Sequence, residues 1–181
     1  MVVPKAESAA QLESVSSLGL SVWPLIESAQ GLLGCSAIAA AAGVERLTFG
    51  ALDLAYSLGV DPSDPAINLL FDQVRYSLLI NSAANKLAAP LDTIFPNVEN
   101  TEGLVAFARH GKSMGMGGML CIHPSHIAPI NQVHQPQEAD VMWARRLIDV
   151  AAGQPGAFRF EGKMIDAPVL ERALRLLSEC R

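Results

Sequence analysis

Apolar positions along this chain recur in two rhythms, and the rhythms alternate. Short runs at Val2-Val3, Val22 to Ile26, Leu47 to Phe49, Asp92 to Pro96 and Met119 to His123 have the length of buried strands. Between them apolar residues return at helical spacing. The longest case is Ile67, Leu70, Phe71, Val74, Leu78 and Leu79, an amphipathic helix continuing towards Leu87. Ser8 opens a short helix as its N-cap, residues 31–42 make a second helix, and Thr101 to His110 a third. Pro124 to Ile130 and the stripe Val141, Ala144, Ile148 and Ala151 add two more. A last helix, Pro168 to Leu177, follows the segment Phe158 to Asp166. Asp61-Pro-Ser-Asp-Pro65 reads as a turn and Gly153-Gln-Pro-Gly156 as a break. Five short strands alternating with helices predict βαβ units, a parallel sheet and an α/β fold.

Two of those strands end alike. Val22-Trp-Pro-Leu-Ile runs into Glu27, and Leu47-Thr-Phe runs through Gly50 to Asp53. Each delivers one carboxylate where a strand gives way to a helix. Two acids at the carboxyl ends of neighbouring parallel strands suit a hard divalent cation. Each also has a plainer reading, Glu27 as a helix N-terminal carboxylate and Asp53 as an N-cap. Asp166, two residues before Pro168, reads in the same plain way as the N-cap of the last helix.

Composition narrows the classes. With 181 residues the chain is one domain or part of a larger one. Half of it is hydrophobic (50%) and only 17% is charged, which excludes a disordered segment. A net charge of −5, a pI near 5.3 and the lack of any basic run argue against binding nucleic acid or an anionic membrane. No apolar stretch approaches the roughly 20 residues of a membrane helix. The first residues do not resemble a signal peptide, so a cytoplasmic protein is expected. Cys35, Cys121 and Cys180 are expected to be buried free thiols. Gly115-Met-Gly-Gly118 precedes a strand instead of following one, so it reads as a tight turn and not a phosphate loop. No G-x-G-x-x-G follows the first strand, which weakens a dinucleotide-binding reading. His123, His126 and His134 lack the pattern of a zinc site, and Cys121 reads as a strand packing residue. Lys5 reads as a rim lysine paired with an acid, and Arg145-Arg146 as a solvated helix face.

In chain order, Val3-Pro-Lys-Ala-Glu-Ser8, Pro24-Leu-Ile-Glu27-Ser-Ala-Gln-Gly31, Phe49-Gly-Ala-Leu-Asp53-Leu-Ala and Phe95-Pro-Asn form one set of motifs. Leu120-Cys-Ile-His-Pro124, Trp143-Ala-Arg and Gly162-Lys-Met-Ile-Asp-Ala-Pro168 continue it. Together they resemble the HpcH/HpaI aldolase and citrate lyase beta-subunit-like family. The resemblance implies a TIM-type (β/α)8 barrel, here truncated to about the last five β/α units. Residues 1–152 would be the partial barrel (strands four to eight), and residues 153–181 a C-terminal lid or oligomerisation segment. It implies a Mg²⁺-dependent carbon–carbon lyase acting on a 3-hydroxyacyl-CoA thioester of citramalyl, malyl or citryl type, or on a related oxo-acid. A homo-oligomer, a trimer, is implied as well.

By the same resemblance Glu27 and Asp53 are metal ligands, and Glu27 also lies close to bound substrate. Asp166 corresponds to a lid aspartate that, in some members, serves as acid or base in a neighbouring subunit's site. Leu52 stands where many members carry an acid, and Asn97 where an aspartate is frequent; neither change removes a ligand. The family's first three strands, with a substrate-binding arginine, would precede Met1. The chain is therefore expected to be a fragment, the product of a late start, or half of a split protein. The alternative function is a non-catalytic remnant or complementing subunit.

Overall fold

The computed structural model describes residues 1–154 and 156–178. Pro155, in the predicted break, and Cys180 lie outside the described residues. The chain divides into two compact units, Met1–His134 and Gln135–Arg181. That division precedes the helix at Glu138, which belongs to the second unit.

The first unit is a parallel α/β layer. Its strands are β1 (Val2–Val3), β2 (Trp23–Ile26), β3 (Thr48–Phe49), β4 (Leu91–Asp92) and β5 (Gly118–Met119). They pair in chain order, every pair parallel. Helices return the chain between them: α1 (Ala10–Ser16), α2 (Ala29–Leu33), α3 (Cys35–Ala39), α4 (Ala51–Leu58), α5 (Ile67–Ala84) and α6 (Thr101–Ser113). After β5 come a 3₁₀ turn (Pro124–His126) and α7 (Ile127–His134). Consecutive order is that of a (β/α) barrel wall; a doubly wound sheet would reverse direction at a switch point. Ile26, Leu47, Phe49, Leu54 and Leu78 are fully buried in its main core, and Leu104, Ala108, Met119 and Ile130 form a second cluster.

Several boundaries differ from the periodicity, each for a local reason. The fourth strand is Leu91–Asp92, not Asp92 to Pro96. Asp92 folds its own Oδ1 back to accept the Thr93 N–H at 2.9 Å, taking a donor that a longer strand would use. The fifth strand stops at Met119, and beyond it His123 caps the 3₁₀ turn by accepting the Ser125 N–H. The alternation expected to bury Cys121 therefore does not reach it, and that thiol is exposed. Cys35 is buried, and burial pushes its pKa up to about 11. The helix expected over residues 31–42 is two short ones broken at Gly34, starting earlier because Ser28 Oγ accepts the Gly31 N–H. Ser8 does not cap α1; Gln11 Oε1 instead accepts the N–H groups of Glu7 and Ser8.

The second unit packs α8 (Glu138–Ala151) and α9 (Ala167–Ser178) with a hairpin that the hydrophobic pattern did not reveal. Its strands β6 (Phe158–Phe160) and β7 (Lys163–Ile165) are antiparallel. Glu161 and Gly162 form the two-residue turn with φ of 46° and 79°, the positive pair that such a turn demands. Ala144, Leu147, Ile165 and Ala173 are its buried centre.

Candidate metal-binding rim

The register of β2 on β3 sets Leu25 opposite Thr48 and Ile26 opposite Phe49. The next step of the ladder holds too, because Gly50 N–H donates to the Ile26 carbonyl at 2.9 Å. Glu27 and Gly50 are therefore brought side by side at the carboxyl end of the sheet. The Glu27 carboxylate lies against the bare face of Gly50, so that a Cβ there would stand 2.8 Å from Oε2. Its other oxygen, Oε1, accepts the main-chain N–H of Lys5 at 2.7 Å, across from the end of β1. Glu27 is half-buried. The next residue, Ser28, caps α2 and donates its hydroxyl to Glu7 Oε1 at 2.7 Å.

Asp53 lies in the first turn of α4, exposed, three residues after Gly50. The N-cap is Gly50 and not Asp53, so the acid meets the positive end of the helix without serving as its cap. Below this turn the buried Thr93 hydroxyl accepts the Ala51 N–H at 3.0 Å, tying the start of α4 to the end of β4. The ends of β1, β2, β3 and β4 thus converge on one rim, the end of a parallel barrel sheet where ligands bind.

A second carboxylate cluster lies deeper. Asp92, at the end of β4, is 1% exposed, and Arg75 of α5 is equally buried. Arg75 Nε donates to both Asp92 oxygens, at 3.1 and 2.9 Å, while Nη1 reaches Asp72 Oδ1 at 2.8 Å. The guanidinium lies 5.7 Å from the Phe49 ring centre and 5.0 Å from that of Phe107. Burial pushes the Asp92 carboxyl above its ordinary range, against the pull of Arg75 and the Thr93 N–H. Burial also pushes Asp72 up, but hydrogen bonds from His110 and Arg75, with their charges, outweigh it and leave it depressed.

The other sequence candidates belong to other elements. Asp166 caps α9 in the second unit, its Oδ1 accepting the Val169 N–H at 3.3 Å. Asn97 Oδ1 accepts the N–H groups of Glu99 and Asn100, a side-chain turn for which an amide oxygen suffices. His123 Nδ1 is engaged with Ser125, and His126 is buried. Against expectation the Lys5 side chain forms no ion pair among the described residues; its contact with an acid runs through its peptide N–H, because the turn at Lys5 directs that N–H onto Glu27. The roles of Lys5, Thr93 and Arg75 left no mark in the hydrophobic pattern; Gly50 did, as the glycine leading the turn towards an acid.

Whether Mg²⁺ fits this rim is a question of donors and room. Among the described residues no group of three or more His, Cys, Asp or Glu side chains gathers, so protein carboxylates could supply at most two ligands of this kind. Mg²⁺ commonly takes one or two protein carboxylates and leaves its remaining positions to water and substrate. Glu27 and Asp53 match that habit, and the missing side chain at position 50 leaves room at Oε2. The residues present fit the ion.

Comparison with known proteins adds a family. The HpcH/HpaI aldolase/citrate lyase model matches residues 1–124. A citrate lyase subunit beta-like protein of Mycobacterium tuberculosis is 36% identical over 98% of this chain, which spans 65% of that relative's length. The human mitochondrial citramalyl-CoA lyase is 28% identical over 85% of the chain, which covers 48% of that protein. A crystal structure of CitE from M. tuberculosis in complex with magnesium, acetoacetate and coenzyme A superposes with a TM-score of 0.83. It is 34% identical, with 98% of this chain and 67% of that one covered.

Proposed function

This chain belongs to the HpcH/HpaI aldolase/citrate lyase family, and from that premise we propose that it serves a Mg²⁺-dependent carbon–carbon lyase. The substrate is a 3-hydroxyacyl-CoA thioester of citramalyl, malyl or citryl type. One observation carries the reading: a rim carboxylate, Glu27, seated on a glycine one strand away from Asp53, and forming no ion pair among the described residues. Glu27 and Asp53 hold the ion, and Glu27 also borders the substrate. When bound, Mg²⁺ supplies Lewis-acid polarisation of the substrate's oxygens.

The remaining chemistry is proton traffic. A base takes the 3-hydroxyl proton and the O–H electrons form the carbonyl of the departing oxo-acid. The bond between the α and β carbons breaks, its electrons passing to the thioester enolate, which a proton converts to acetyl-CoA. Asp166 is the proposed acid/base group, exposed at the start of α9 and offered to the rim of a neighbouring copy in a homotrimer. Residues 153–181 act as the lid and oligomerisation segment that brings it there.

The test is a cleavage assay with citramalyl-, malyl- and citryl-CoA, with and without Mg²⁺, following acetyl-CoA release. Glu27→Ala and Asp53→Ala should each lose on the order of a hundredfold in rate, since even outer-shell changes cost about 10–100-fold in metal affinity or activity. Unaltered rates in either variant would remove the metal assignment.

A further inference from the structure

Two residues beside Glu27 are the wrong way round for their own backbones. Lys5 has φ of 51°, the left-handed region that glycine enters freely and a lysine enters at a cost of about 1 kcal/mol or more. Gly50 has φ of −103° and ψ of 100°, an extended conformation open to any residue. Neither choice follows from local conformation.

Both follow from the carboxylate between them. The left-handed turn at Lys5 directs its N–H onto Glu27 Oε1 at 2.7 Å. The Lys5 side chain is exposed and, among the described residues, forms no ion pair. The peptide N–H is therefore the contact for which the strained turn is kept. At position 50 the demand is steric: a Cβ would stand 2.8 Å from Glu27 Oε2 and 3.1 Å from its Cβ, so any side chain would push the carboxylate off its seat. Among the described residues Oε2 accepts no hydrogen bond from the protein.

We propose that Lys5 and Gly50 are positioning residues that divide the labour of the Glu27 carboxylate. The Lys5 N–H fixes Oε1, and the bare face of Gly50 leaves Oε2 open as the oxygen that takes a divalent cation. This deepens the metal-site reading and rests on it. The side-chain amine of Lys5 has no part in the device, which is a main-chain arrangement.

The experiment uses the full chain with Mn²⁺ as the probe, reading free ion by electron paramagnetic resonance and displacing it with Mg²⁺. Gly50→Ala should weaken Mn²⁺ binding about tenfold, within the range for residues that orient metal ligands. Lys5→Pro, which removes the N–H and fixes φ negative, should weaken it similarly and bind less tightly than Lys5→Gly. Lys5→Gly should also melt at a higher temperature than the parent, because the strained turn is relieved.

Should Gly50→Ala fail to fold by circular dichroism, the Lys5 pair decides alone. Gly50→Ala and Lys5→Pro binding as tightly as the parent, while Glu27→Gln and Asp53→Ala lose the ion, would overturn the positioning and leave the metal site standing. If the parent itself binds no Mn²⁺, the metal-site reading falls. The Lys5 amide proton resonance then judges the positioning: Glu27→Gln and Gly50→Ala must both move it, and an unmoved resonance refutes the seat.

Discussion

Glu27 and Asp92 are built to the same local plan in opposite surroundings. Each follows or ends a parallel strand, and each lays its carboxylate on a glycine from a neighbouring element. A Cβ on Gly50 would stand 2.8 Å from Glu27 Oε2, and one on Gly111 2.3 Å from Asp92 Oδ2. They differ in what answers the charge. Asp92 has Arg75, sealed between two phenylalanine rings, and both partners are out of water. Glu27 has one peptide N–H and stays half-exposed. A carboxylate with its own buried cation is structural. One held by a single neutral donor has its charge unanswered by that donor, which is what the proposed metal site requires.

The largest effect should come from breaking the buried side. Arg75→Met leaves Asp92 uncompensated in the core, and removal of one member of a buried pair costs about 3–5 kcal/mol. Denaturant unfolding should show it as a clear fall in midpoint, whereas Glu27→Gln, at the rim, should stay within about 0.5 kcal/mol of the parent. Equal losses in the two variants would erase the distinction between the two carboxylates.

A smaller effect is expected at Gly111. Alanine there gains about 1 kcal/mol of helix propensity within α6, but the new methyl collides with a carboxylate that Arg75 holds in place. Overpacking of that kind costs about 1–3 kcal/mol, so Gly111→Ala should lose stability on balance in the same unfolding assay. A gain would show that Asp92 yields easily.

The smallest effect is a pH dependence. Asp72 titrates below its ordinary value of 3.8 in the fold. Its contribution is complete above that value and is lost as pH falls through the depressed folded pKa. Asp72→Asn should flatten the acid limb of stability against pH below about 4, and an unchanged limb would show that the bonds to Arg75 and His110 add nothing.

The parallel sheet and its helices were legible because strand runs and 3.6-residue stripes report burial, which dominates those elements. The placement of Glu27 and Asp53 was legible because strand ends in such a fold point to a single rim. The buried ion cluster was not. As a charged residue Arg75 does not enter the apolar stripe read along α5, although it lies between Phe71 and Leu79 around the helix, and nothing in the local sequence pairs it with the distant Asp92. The Lys5 contact was hidden for a different reason, since a main-chain donor carries no residue signature. The hairpin at Glu161-Gly162 escaped because its strands are three residues each, too short for alternation to register.

Pairing each strand with its immediate successor also sets an order of assembly. Every residue of the Glu27 seat lies within the first fifty-three positions, while the Arg75 cluster waits for α5, β4 and α6. A chain emerging from the ribosome folds from its N-terminal end. The seat of the Glu27 carboxylate therefore has its parts in hand before the anchor of the core has been synthesised.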